Sequence, residues 1–418
     1  MLLSEPEARR EFPLCRHELS FHETGDRLIA LDGLDRVLGA DLILFLSRHS
    51  SINPAPVLTV HVTGNTGPAE LGGMPSSLAQ AAPSWMQAVL IGLASRAPAG
   101  YRASYEVTHH GPTELATPSL FVEIGSTEQE WTDPLAGDAV ARSILAAEPC
   151  SGITLVGIGG THYARRETEI ALGSRAAFGH IVPTRETGYI DREMLRMLIR
   201  KSKADAVYLD RKALKTDELS RLDHLVTEAG IPRLTETETS QLKHLSWDTW
   251  NRIRGLARSV DPTAEVHISD AVREGQPMMI DLPPDLVREA YRMDPSGLGK
   301  GLHQLPVIVL SSRKTPILPS FIVTGENSSV VLNDLISLCV TTISRGKNTA
   351  IEGDRLIIRR TKFDPDRARS LGVPKGPLFG DLMRGSPVIV NGGREITPDM
   401  VRICEEKHIQ IPGLEKKR

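Results

Sequence analysis

Residues 153–163 read ITLVGIGGTHY, and this string decides the fold class. Ile153 to Ile158 is an apolar run of strand length, closed by Gly159 and Gly160. Thr161, His162 and Tyr163 follow at once. A strand that stops in glycines and then presents polar side chains is a recurring unit of α/β domains, whose ligands bind outside the carboxyl ends of the strands.

The unit repeats on both sides. Upstream, Ala40–Leu46 runs into Ser47-Arg48-His49-Ser50-Ser51, and Leu58–Thr63, which carries His61, runs into Gly64-Asn65. Ala103–Val107 runs into Thr108-His109-His110-Gly111-Pro112-Thr113-Glu114, and Ser119–Gly125 ends in a glycine. Downstream, Phe178-Gly179-His180 and the run Ala206–Leu209 continue the series. Helical spacing fills the gaps over 77–95 (Trp85, Val89 and Leu93 on one face), 134–148, 190–202 and 215–229. The alternation predicts an α/β fold with a mixed, largely parallel sheet and flanking helices, its active site at one sheet edge. Around 233–242 the composition turns polar, which places a linker at 235–242 between a domain of 1–234 and a second one of 243–418. The latter reads as smaller α+β material, with strands near 307–310, 321–323 and 355–359 and a helix near 329–345.

The chain has 418 residues, net charge −3 and 40 % hydrophobic content, enough for two or three cored domains. It has no eighteen-residue apolar run and no signal-peptide core at its start, so a cytoplasmic protein without a membrane anchor is expected. Cys15, Cys150, Cys339 and Cys404 are far apart, which speaks against disulfides and thiolate zinc sites. Local basic stretches at 192–203 and 355–369 read first as solvated faces and second as places to look for RNA contacts.

Six of the 13 histidines fall between His49 and His180. Histidine suits proton transfer near neutrality and zinc ligation. His61 alternates with valines and reads more readily as a satisfied core residue than as a ligand. His109 and His110 are adjacent, so an extended backbone points them apart, one to the chemistry and one to the structure. Glu114 is near enough to orient a ring or act as a base. Glu123, inside an apolar strand, must be paired, metal-bound or on the polar face of an edge strand. Ser126–Glu130 has the form of a capped helix start, and Trp131 is expected to pack. The Gly157–Thr161 turn is neither GxGxxG nor a lysine-bearing phosphate loop. HExxH, GxSxG and HxHxDH strings are absent.

Taken in order, SRHSS, HVTGN, YEVTHHGPTEL, PSLFVEIGSTEQEW, GIGGTHYA, AFGHIVP and YLDRKALK resemble the archaeal and plant type of D-aminoacyl-tRNA deacylase, from about Leu42 to Leu234. The resemblance implies a fold similar to peptidyl-tRNA hydrolase and nucleoside phosphorylase. It implies zinc (Zn2+) dependence and hydrolysis of the ester joining a D-amino acid to the 3′-terminal ribose of tRNA. The expected catalytic residues are His61, His109, His110 and Glu123. Asn65, Gly159, Gly160 and Thr161 are expected to hold substrate, and His110, His162 and His180 metal. A monomer acting on D-aminoacyl-tRNA is expected. The runner-up readings are a peptidyl-tRNA hydrolase-like or nucleoside phosphorylase-like enzyme, or an inactive tRNA-binding module. The family opens with a further strand, whereas Leu2-Leu3-Ser4-Glu5 looks like the end of the helix that follows it, so that strand is expected to be missing. A second resemblance, over about forty residues from Phe363 through Gly380 to Pro398, is to the tail of the tRNA 3′-processing endonuclease (ribonuclease Z) family, without its metal motif.

Overall fold

The computed structural model describes residues 17–150, 152–242, 245–325, 328–346, 348–390 and 392–411. Cys15 and the string Leu2–Glu5 lie outside the described residues. The chain falls into two units, Met1–Trp250 and Asn251–Arg418. No helix among the described residues is long and apolar enough to cross a membrane.

The first unit holds two four-stranded sheets. One is built from β1 (Ile43–Arg48), β2 (Val57–His61), β3 (Arg102–Tyr105) and β4 (Ser119–Gly125) in the order β1-β4-β2-β3. β1 runs parallel to β4 and β2 parallel to β3, but β4 and β2 are antiparallel. The other contains β5 (Ile153–Ile158), β6 (Ala176–Val182), β7 (Ala206–Leu209) and β8 (Arg233–Leu234), all parallel, in the order β8-β7-β5-β6. The two sheets meet where Thr108 N–H, beyond β3, donates to Ile181 O at 2.7 Å. β6 is buried along its whole length, as parallel strands covered on both faces must be.

Helices α1 (Pro83–Arg96), α2 (Pro134–Leu145), α3 (Arg165–Gly173), α4 (Arg192–Ser202) and α5 (Thr216–Glu228) connect the strands. α1 buries Val89 and Leu93 as expected, yet its face centres on Met86 and Leu90, and Trp85 stays half-buried. Asp133 and Asp191 cap α2 and α4 by accepting from Leu135 N–H and Met194 N–H. Val156, Ile158, Val182, Leu198, Val207, Leu209 and Leu222 form the core of the parallel sheet.

Two sequence expectations are corrected here. Residues 235–242 are not a linker. Glu236–Gln241 is a helix (α6), because Thr235 and Glu238 form a reciprocal capping box. Thr239 and Leu242 are buried, and the division between units comes later, within the helix Trp247–Val260. The first sheet is mixed, with β1 and β4 running against β2 and β3, so the carboxyl ends of its strands do not share one edge.

The second unit combines helices with antiparallel strands. β9 (Glu265–Ile268), β10 (Pro277–Asp281), β11 (Ile308–Ser311) and β12 (Ser320–Thr324) form a sheet in the order β9-β11-β12-β10. Helix Ser328–Ser344 follows, then β13 (Thr349–Glu352), β14 (Arg355–Phe363) and, at the end, β17 (Arg402–Gln410), with hairpin β15–β16 (Val388–Val390, Arg394–Ile396) between them. Cys339 and Cys404 are in no disulfide.

Candidate active site

β2 and β4 set the floor of the site. His61 lies opposite Phe121 in the register, and Phe121 and Glu123 are two residues apart, so His61, Phe121 and Glu123 share one face of the sheet. His49 follows β1 and arrives from the opposite end. It lies flat on β4 only because Gly125 has no side chain: a Cβ there would stand 2.5 Å from the Cβ of His49. Glu106, His109 and His110 follow β3, and His162 follows β5. The cluster therefore covers a sheet face rather than an edge.

Three imidazoles are held alike. Nδ1 of His61, His109 and His110 faces the backbone oxygens of Val62 (3.3 Å), Val107 (2.8 Å) and Gly111 (2.6 Å). Donation there fixes the tautomer and leaves each Nε2 facing the cluster. One ligand atom from each ring lies within 4.8 Å of the others. Nε2 of His61 is buried without a hydrogen-bond partner. The adjacent rings of His109 and His110 converge, with centroids 4.4 Å apart, because His110 itself adopts a left-handed backbone (φ +46°). The divergence expected of an extended backbone is thus not met.

The carboxylates interleave with these rings. His49 Nδ1–H donates to Glu123 Oε2 at 3.2 Å, and its Nε2 meets the Tyr163 hydroxyl at 3.1 Å. Glu123 Oε1 stands 3.8 Å from His61 Nε2. β4 is interior to its sheet, which excludes the edge-strand reading of Glu123. Glu106 is 1 % exposed. Its oxygens lie 3.0 Å from His49 Nδ1, 3.1 Å from His162 Nε2 and 3.6 Å from His109 Nε2, but off the line of any N–H bond, so neither has an aligned donor.

Burial alone would keep His49 neutral, yet the carboxylates of Glu106 and Glu123 outweigh it and push its pKa up to about 10. His61 is raised against burial by Glu123 and then Glu106. Burial, then the charge on His61, holds His109 well below its ordinary value and His110 at about 4. Both carboxyls stay ionised despite burial, Glu106 through His162 and His49, Glu123 through His49 and His61.

Other expected site residues have different places. His180 is fully buried with both nitrogens engaged, Nδ1 with Thr108 Oγ1 and Nε2 with Ala79 O, each at 3.0 Å, so it has no lone pair to offer a metal. Glu114 is exposed and outside the cluster. Asn65 spends its amide N–H groups on Gly72 O and Met74 O, pinning the loop between them. Gly159 and Gly160 have positive φ (+121° and +86°), and Thr161 is exposed beside them. Trp131 packs, with its indole N–H donating to His49 O at 2.9 Å, and Thr127 and Glu130 form the expected capping box. The sequence reading missed Glu106 and passed over His49. The available signal was a glutamate at the end of β3, flanked by Tyr105 and Val107.

A family model described as D-aminoacyl-tRNA deacylase matches residues 37–234. A D-aminoacyl-tRNA deacylase of Methanoculleus marisnigri is 51 % identical over 406 residues, 97 % of this chain and 93 % of that protein. One of Methanoregula boonei is 50 % identical over 396 residues, covering 94 % and 91 %. The crystal structure of a conserved protein of unknown function is similar with a TM-score of 0.51 at 35 % identity, over 56 % of this chain and 88 % of that one.

Proposed function

We infer the chemistry of this site from one premise: the chain belongs to the D-aminoacyl-tRNA deacylase family and hydrolyses the ester bond of D-aminoacyl-tRNA, releasing the D-amino acid and tRNA. The observation that carries the mechanism is a set of converging ligand atoms. His61, His109 and His110 bring one ring nitrogen each within 4.8 Å of the others, the buried Nε2 of His61 has no hydrogen-bond partner, and the buried carboxylate of Glu106, without an aligned donor, stands beside them. Unpaired buried polar atoms cost free energy unless a ligand satisfies them. Imidazole with carboxylate, and no thiolate, fits zinc with an open coordination position. His61, His109 and His110 would hold the ion. Bound there, zinc supplies Lewis acidity toward the ester carbonyl and acidifies water.

The remaining residues handle protons and position. Glu106 accepts the proton of the attacking water. His162, half-exposed with Nε2 next to Glu106 Oε2, carries it toward the departing ribose oxygen. Glu123 fixes His49, and His49 in turn fixes the Tyr163 hydroxyl at the rim. The Gly159-Gly160-Thr161 turn receives the 3′-terminal nucleoside. A peptidyl-tRNA hydrolase-like or phosphorylase-like scaffold, a cytoplasmic monomer and a role in clearing mischarged tRNA complete the reading.

For the tRNA body, Arg196, Arg200 and Lys203 lie exposed on and just after α4 and have no ion pair among the described residues. They are where phosphates would first be met. Part of the second basic stretch is paired within the protein: Arg359 with Glu406, Arg360 with Glu289 and Lys362 with Glu405. The segment likened to ribonuclease Z builds its own small core from Ala368, Val373, Leu382, Val388, Ile396 and Val401, which favours a structural clasp over a tRNA contact.

The test is hydrolysis of D-tyrosyl-tRNA against L-tyrosyl-tRNA by the full chain. Release of the D-amino acid only, stopped by chelation and restored by zinc, is expected. Equal hydrolysis of both substrates, or full activity in metal-free protein, overturns it.

A further inference from the structure

We propose that Glu167, Asp210 and the Gly159–Gly160 turn form a pocket for the adenine base of the terminal adenosine, separate from the histidine cluster. This inference rests on the deacylase reading. The place follows from topology. The chain leaves β5 for β6 on one side and returns to β7 on the other, and the crevice at such a reversal, outside the carboxyl ends of the strands, is where open α/β sheets bind ligands. Gly159 follows β5 and Asp210 follows β7. The two loops touch closely, for a Cβ on Gly159 would stand 2.9 Å from that of Asp210.

Gly160 is half-exposed, and the space over it is open. A Cβ there would meet one atom within 4 Å, Glu167 Oε2 at 3.8 Å. Glu167, in the first turn of α3, is fully buried, and neither of its oxygens meets an aligned donor. Its neighbours are already committed elsewhere. Asp210 Oδ1 accepts from Lys212 N–H (3.0 Å) and Ala213 N–H (3.3 Å), and Arg166 reaches both Asp210 (3.4 Å) and Glu236 (2.8 Å). A carboxyl bordering a glycine-lined opening and left without a partner is a recognition group awaiting its ligand.

Two neighbouring carboxyl oxygens without an aligned donor call for a ligand edge with two neighbouring polar atoms, and the protonation state agrees with one donor and one acceptor there. Burial, with Asp210 adding to it, pushes the pKa of Glu167 up to about 8, so near neutrality it is mostly the acid. An acid offers one acceptor and one donor side by side. Adenine asks for that pair, with its amino N–H to the acceptor and its adjacent ring nitrogen to the donor. An ionised carboxylate has no donor for the ring nitrogen. Gly160 and His162 are two positions apart, at most about 7 Å of chain, so a base seated here leaves its ribose and ester beside His162 and Glu106.

The experiment measures binding of adenosine 5′-monophosphate to the full chain by calorimetry, against purine riboside 5′-monophosphate, which lacks the amino group. Wild type and E167Q, which keeps one donor and one acceptor, bind the adenine nucleotide. E167L loses it, and the purine nucleotide binds on the order of tenfold to a hundredfold more weakly to wild type. E167L melts higher than wild type, whereas a merely structural glutamate would make it melt lower. With D-tyrosyl-tRNA, replacing the terminal adenine by purine raises KM by the same factor and leaves kcat alone. Equal binding of the two nucleotides to wild type overturns the proposal whether or not E167L folds, as does unchanged binding in E167L. Absence of D-tyrosyl-tRNA hydrolysis in wild type would instead overturn the deacylase reading, with nucleotide binding still deciding the pocket.

Discussion

Glu106 in the first unit and Glu289 in the second are both buried glutamates, 1 % and 3 % exposed, and their surroundings are opposite. Glu289 is closed off by Arg360 and by Lys407 at 3.1 Å, and Lys407 also reaches Asp285 at 2.8 Å. Every charge there has its counterpart, and the carboxyls of Glu289 and Asp285 are held below their usual range accordingly. Glu106 has histidines at hydrogen-bond range but no aligned donor. A buried charge satisfied within the protein is part of the scaffold. One left open, beside an imidazole nitrogen equally left open, is a site. The histidines repeat the lesson: His180 has both nitrogens engaged, while His61 has a bare Nε2.

Breaking the open set should have the largest effect on turnover. H61A and H109A are expected to lose bound zinc, measured by elemental analysis, and kcat by about a thousandfold or more, corresponding to several kcal/mol of transition-state stabilisation. E106Q should separate the roles, keeping zinc while kcat falls about 10²–10⁴-fold. Retained activity in E106Q would remove Glu106 from proton transfer.

The satisfied histidine should respond through stability. His180 is held at about 4 by burial, against 6.5 when unfolded. The unfolded chain therefore binds the extra proton between these values. Stability contributed by neutral His180 is complete above pH 6.5 and is lost as pH falls toward 4, by up to about 3 kcal/mol. Urea unfolding at pH 7 and pH 4.5 measures it, and H180Q should flatten this dependence while keeping its zinc. Zinc loss in H180Q would return His180 to the site.

The paired glutamate should show a smaller effect. E289A leaves Arg360 and Lys407 without their anion, but both are about 30 % exposed and water can recover them. A loss of about 1–3 kcal/mol is expected in denaturant titration, below the cost for a fully buried pair, with kcat per folded molecule unchanged. A large fall in kcat would erase the contrast between the two glutamates.

Much of this was legible in order along the chain. The strands at Ser119–Gly125, Ile153–Ile158 and Ala206–Leu209 coincide with their apolar runs, because buried strands need uninterrupted apolar side chains. Polar signals were harder. Thr235 to Glu238 looked like a linker although its spacing is that of a capping box. His180 and His61 were also inseparable as letters. Each is a histidine within or ending a strand of valines, phenylalanine or isoleucine, and only their partners distinguish them.

The sequence by itself determined the alternation of strands and helices, the family and the set of histidines from which the site is drawn. Local periodicity and short motifs are properties of neighbouring residues, and a chain read in order contains them. The tertiary structure decided which carboxylate meets which imidazole. β4 runs against β2, so His49 reaches the face that carries His61 and Glu123 from its far end, and the left-handed turn at His110 folds two adjacent rings together. Glu106 and His49 are 57 positions apart in the sequence and 3.0 Å apart in space. Strand order and direction set that distance, and they come from packing whole elements against one another rather than from any residue's neighbours.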